Sequence, residues 1–270
     1  VIASCQRGAI STLYYADRVN QLPLGMIGIA LGIVLLPEVT RRLRSGREAE
    51  AAHSILRGME LAMLLTLPAA AAMVAVHEPL IQGLFSGEKF SAEAVAKTGR
   101  ALAGFALGLP GYVLIKVLQP AYFAREDTKR PMIMAGVAVA VNIVCSLLLF
   151  HLLLPGGYGH VGIAIATAVS AWVNVVLLWR GMDGFVTIPR SEWRRLLRMA
   201  LASLLMGAVV YLAGLALESW LSGTLWQRMI ALALIVGTGI TVYGALALSL
   251  GATSLSALRS SLMAGRGREN

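Results

Sequence analysis

The chain has 270 residues, of which 57% are hydrophobic and 14% charged, with a mean hydropathy of +0.74. Soluble domains carry about 25% charged residues, so the composition excludes an ordinary water-soluble globule and points to a chain that crosses a bilayer repeatedly. The formal net charge is +9, but the basic residues sit in short clusters between apolar runs and are not interleaved with aromatics, which argues against a nucleic-acid surface.

A bilayer core takes about 20 apolar residues per helix. By that measure seven spans are predicted, at 12–40, 55–76, 97–120, 131–152, 160–179, 196–217 and 227–250. The class is an all-α polytopic membrane helical bundle. Residues 1–11 open "VIASCQRG" without Met and read as the tail of a truncated helix plus an external loop. On this reading the chain lacks its true N-terminus.

The first span carries "YYADRVNQLPLGMIGIALGIV", in which Asp17 and Arg18 stand at the head of the apolar run. Pro23 is predicted to break this long span into two half-helices. Arg18, Gly25 and Gly32 recur by heptads and share a face, with Gly28 beside it; small residues there allow another backbone or a bulky ligand to come close. Arg at a helix centre costs about 2.5–3.5 kcal/mol on insertion scales, so a charge inside the bilayer faces protein or water. Two readings stand for the Asp17–Arg18 pair. Either it is solvated at the interface or caps a helix end, or it lines a cavity where the Arg fork awaits an anion such as phosphate.

Basic loops follow the first, third and fifth spans and the seventh: Arg41, Arg42, Arg44 and Arg47; Arg125, Lys129 and Arg130; Arg180, Arg190, Arg194, Arg195 and Arg198; Arg259, Arg266 and Arg268. These sets hold 15 of the 23 Lys and Arg residues. The intervening loops hold Lys89 alone. The positive-inside rule therefore places the basic loops and the C-terminus in the cytoplasm. "SEWRRLLRMA" reads as a short amphipathic helix on the cytoplasmic face, so the organisation is 12–180 as a five-span lobe, 181–195 as an interfacial segment, 196–250 as two further spans and 251–270 as a basic tail. "PGGYG" and "WLSG" read as tight external turns.

The remaining polar residues carry less. Lys116, near the cytoplasmic end of its span, reads as snorkelling, and Glu60 lies close enough to its basic loop to reach water. Asn142 and Asn174 suit hydrogen bonds between helices. Cys5, Cys145 and the four His residues show no metal-ligand spacing, and no nucleophile, phosphate-loop or paired-carboxylate pattern is present. The chain is therefore expected not to be an enzyme, and neither a metal nor a cofactor is expected.

Several stretches together resemble the C-terminal half of the MurJ (MviN) lipid II flippase family: "YYADRV", "PLGMIGIALGIVLLPEV", "LFSGEKFS" and above all "KVLQPAYFAREDTKRP". The match covers most of residues 1–180 and weakens in the last two spans. The resemblance implies the second lobe of a MATE-like fold of the multidrug/oligosaccharidyl-lipid/polysaccharide (MOP) exporter superfamily, plus two extra C-terminal helices, with the N-terminal lobe of the same chain missing. It implies movement of lipid II, an undecaprenyl-diphosphate-linked disaccharide peptide, from the inner to the outer leaflet of the bacterial cytoplasmic membrane by alternating access. The family's Asp-Arg pair maps onto Asp17 and Arg18, with Arg18 engaging the diphosphate. Gln21 stands beside them where some relatives have Glu, and Pro23, Gly25, Gly28 and Gly32 become hinge and cavity-lining positions. Some relatives bind a cation in this lobe; Asn142 and Thr167 stand at counterpart positions, while Ser146 stands where a carboxylate would help. Coupling to the membrane potential or to a monovalent cation is compatible with the pattern. Membrane lipids are the remaining partners, with no nucleic acid among them. The alternative is a related exporter of another lipid-linked oligosaccharide or of drugs.

Overall fold

The computed structural model describes residues 9–85, 91–182 and 184–251. Expectations for residues 1–8, for Lys89 in "LFSGEKFS" and for the basic tail from 252 onward lie outside the described residues. Among the described residues ten α-helices follow one another: α1 (Ala9–Arg44), α2 (Glu48–Ala75), α3 (His77–Phe85), α4 (Ala92–Ala106), α5 (Leu109–Phe123), α6 (Lys129–Leu153), α7 (Gly159–Arg180), α8 (Arg190–Ala216), α9 (Glu218–Leu221) and α10 (Leu225–Ser249). Seven runs among the described residues are long and apolar enough to cross a membrane, with α4 and α5 together forming the third.

The ends follow local chemistry. Ser91 caps α4 by accepting a bond from the Ala94 amide at 3.2 Å, and Thr224 opens α10 in a capping box with Gln227. Both satisfy amides that a helix N-terminus leaves without intrahelical partners. Arg41, Arg42 and Arg44 fill the last turn of α1, where cations suit the negative end of the helix dipole. Gly46, at φ +72, turns the chain into α2.

Packing divides the bundle into layers. One core cluster joins α1, α2, α5 and α7 through Leu31, Ile55, Val117 and Leu178; another joins the opposite halves of α1 and α2 to α3, α4 and α7 through Ala16, Met73, Ile81, Leu102 and Ala164. A third cluster sets Val76 against Met206 and Val210 of α8 and Ile235 of α10. The α4–α5 run is the centre, with 72% of its most apolar window buried, whereas the corresponding window of α6 is 17% buried.

Two expectations are corrected. Helix α1 runs unbroken through Pro23 and Pro37. Proline removes one intrahelical bond and frees a carbonyl, and transmembrane helices tolerate it where neighbouring groups and local adjustment satisfy that carbonyl. The interruption falls instead at Leu107–Gly108, between α4 and α5. There the Leu107 carbonyl accepts a bond from the Trp172 indole at 3.0 Å, and a Cβ on Gly108 would lie 2.8 Å from the Ala168 backbone. The second correction concerns "SEWRRLLRMA": it forms the first turns of the unbroken α8 rather than a separate surface helix. Arg195 there binds Glu60 of α2 at 3.3 Å, which ties the two helices together.

Candidate functional site

Helix α1 positions Asp17, Arg18 and Gln21 within one turn, and i,i+3 and i,i+4 neighbours meet on a helix surface. Gln21 links the pair. Its amide nitrogen donates to Asp17 Oδ2, and its Oε1 accepts from Arg18 Nη1 at 3.4 Å. The Arg18 guanidinium also lies over the Tyr14 ring, 4.8 Å from its centroid, a favourable cation–π placement. Among the described residues no carboxylate pairs directly with Arg18. Its fork is thus oriented by an amide and an aromatic face, with no carboxylate in ion-pair contact among the described residues, an arrangement suited to donating two parallel bonds to an oxyanion. The hydroxyl of Tyr112, on α5, is buried without a hydrogen-bond partner among the described residues.

Arg18 and Gln21 are exposed, and the same side of α1 continues through Met26, Ile29 and Ile33, all uncovered. A Cβ on Gly25 or Gly32 would meet nothing within 4 Å. These two glycines therefore belong to an open face. Gly28 does not: it is buried, and a Cβ there would lie 2.6 Å from Lys116 Cδ. The Lys116 stem crosses α1 at Gly28 while the residue as a whole remains exposed. Gly28 lies ten residues beyond Arg18, roughly 15 Å of helical rise. The seat of the Lys116 stem has its sequence signal in a glycine on another helix, Gly28.

Asn142 and Thr167 do come together, across α6 and α7. The Asn142 amide nitrogen donates to Thr167 Oγ1 at 3.2 Å and to Ser170 Oγ at 3.3 Å. Donor hydrogens thus occupy the space between these groups, and the geometry is that of an interhelical clasp. Ser146 is buried on α6, with no hydrogen-bond partner for its hydroxyl among the described residues. No group of three or more His, Cys, Asp or Glu side chains suited to a metal ion exists among the described residues.

On the side of the basic loops, the "AREDTKRP" turn is stitched to the segment after α7. Arg125 lies 3.8 Å from the Phe185 ring centroid, Arg130 donates to the Gly181 carbonyl at 3.3 Å, and the Tyr122 hydroxyl donates to Leu178 O at 2.5 Å. This turn therefore holds helix ends together, a structural reason for its distinctive residues.

The apolar spans define a polytopic α-helical membrane protein, and α1 gives it an open face that carries Arg18. Its sequence matches the family model described as "Lipid II flippase MurJ" over residues 1–231. It is 43% identical to a probable lipid II flippase MurJ of Rhizobium meliloti over 98% of this chain and 49% of that one, and 34% identical to one of Vibrio cholerae over 93% and 47%. A solved structure, "Lipid II flippase MurJ, inward closed conformation", shares the fold with a TM-score of 0.70 at 23% identity, over 89% of this chain and 46% of that one. The chain belongs to the MurJ lipid II flippase family. It spans about half the length of the curated relatives it matches. The family match runs through α8 into α10, further than the motifs readable in the sequence.

Proposed function

We propose that this chain forms the second half of a flippase that carries lipid II from the inner to the outer leaflet of the bacterial cytoplasmic membrane by alternating access. The observation that carries the reading is Arg18: an exposed guanidinium on an apolar helix, oriented by Gln21 and Tyr14 and lacking a carboxylate partner among the described residues. In this mechanism Arg18 receives the diphosphate, and Gln21, itself bonded to Asp17, orients its fork. The open side of α1 forms one wall of the cavity, opposite a lobe supplied by the other half of the family's length. The basic loops and the C-terminus face the cytoplasm, as the charge distribution supports.

The test uses the full-length protein in cells depleted of their own flippase. Wild type is expected to restore growth and outward movement of lipid II, and Arg18→Ala is expected to fail at equal membrane abundance. Rescue by the variant would remove Arg18 from the mechanism. No rescue by well-expressed wild type would overturn lipid II as the cargo.

A further inference from the structure

A cavity of about 360 Å³ lies away from the α1 face, between α4 and the turn joining α6 to α7. Lys97 and Arg100, one turn apart on α4, form one wall, with Glu93 at the rim; Gly156, Gly157 and Tyr158 form the other. In the orientation proposed above, on which this inference rests, the cavity opens on the outer side. A Lys–Arg pair there runs against the charge bias that leaves outer loops poor in cations.

The cations are loosely held. Lys97 pairs with Glu93 at 2.6 Å, but Glu93 lies one helical turn away on the same helix and its side chain is 76% exposed. Such pairs yield readily to another anion. Arg100 stands 3.8 Å from Glu78 and lies over the Tyr158 ring, 5.1 Å from its centroid. His160, at the start of α7 just after the Gly156–Tyr158 wall, is buried. The opposite wall begins with two glycines, so nothing bulkier than backbone faces the two cations from that stretch.

We propose that this cavity binds the phosphodiester of an anionic phospholipid in the outer leaflet, with Lys97 and Arg100 as its donors. Basic pockets between membrane helices are known to hold lipid head-group phosphates. An incoming phosphodiester must displace Glu93 from Lys97 and compete with Glu78 for Arg100, which favours a ligand also held in place by the bilayer over a free anion.

Native mass spectrometry of the full-length protein, titrated with phosphatidylglycerol, tests this. Wild type is expected to retain the lipid, and the double variant Lys97→Gln/Arg100→Gln to bind it about tenfold more weakly or worse. The charge-preserving exchange Lys97→Arg/Arg100→Lys is expected to retain binding, and an unchanged melting temperature in the Gln variant separates lost binding from lost fold. Equal retention by wild type and the Gln variant would overturn the proposal. So would full displacement of the lipid by millimolar inorganic phosphate, which would make the occupant a free anion. Arg18→Ala is expected to keep phosphatidylglycerol while losing lipid II transport, so failure of one assignment leaves the other readable.

Discussion

Gln21 links two charges that adjoin in sequence but form no direct ion pair among the described residues. An amide suits this position because it donates to Asp17 and accepts from Arg18 at once, whereas a carboxylate only accepts. Gln21→Leu keeps a similar volume and removes both bonds. We expect it to weaken diphosphate-lipid binding to the full-length protein by about threefold to tenfold, the loss of one or two weak hydrogen bonds; unchanged affinity would show that Gln21 does not position Arg18. Glycines at the α1–α5 and α6–α7 contacts differ in the same concrete way. A Cβ at Gly28 meets the flexible stem of Lys116, but at Gly162 it meets the Leu149 backbone at 2.7 Å. Gly162→Ala is therefore expected to cost about 1–3 kcal/mol of stability, and Gly28→Ala distinctly less. Melting curves in detergent compare the two.

The α4–α5 run shows what an apolar element requires when it breaks. Sequence reasoning placed the break at Pro23, since proline removes an amide. A break inside a bilayer also leaves carbonyls that water cannot reach, so it occurs where another chain segment supplies donors. Trp172 supplies one to Leu107 from 65 residues away, and nothing around residue 107 announces that partner. Trp172→Phe keeps an aromatic side chain, though a smaller one, and removes the donor. The expected loss is about 1–3 kcal/mol, seen as a lower melting temperature; an unchanged value would mean that the carbonyl finds another donor. Helix α8 makes a related point: its basic, amphipathic start read as a surface segment, yet Arg195 reaches Glu60 and the helix continues without interruption.

Across the whole molecule, orientation rests on where the cations lie. Ser45, beside the arginines that end α1, and Ser222, in the turn before α10, are both exposed. In a full-length protein otherwise free of cysteine, Ser45→Cys is expected to react with a membrane-impermeant thiol reagent only from the cytoplasmic side, and Ser222→Cys only from outside. The reverse pattern would invert the topology and with it the outer placement of the Lys97–Arg100 cavity.

Membrane class, the seven spans and the alternation of basic loops were determined by sequence alone, because hydrocarbon thickness and interfacial charge act on local composition. The family resemblance was likewise legible in short stretches, as were Asp17, Arg18 and Gln21 as neighbours on one helix turn. Only the tertiary structure decided which side of α1 stays open, that Gly28 receives Lys116, that Asn142 and Thr167 form a clasp, and that the third span rather than the first is interrupted. Each of these depends on how a helix is rotated against its neighbours and on donors brought from distant segments, and with no hydrophobic drive between helices in lipid that choice falls to close packing and polar contacts.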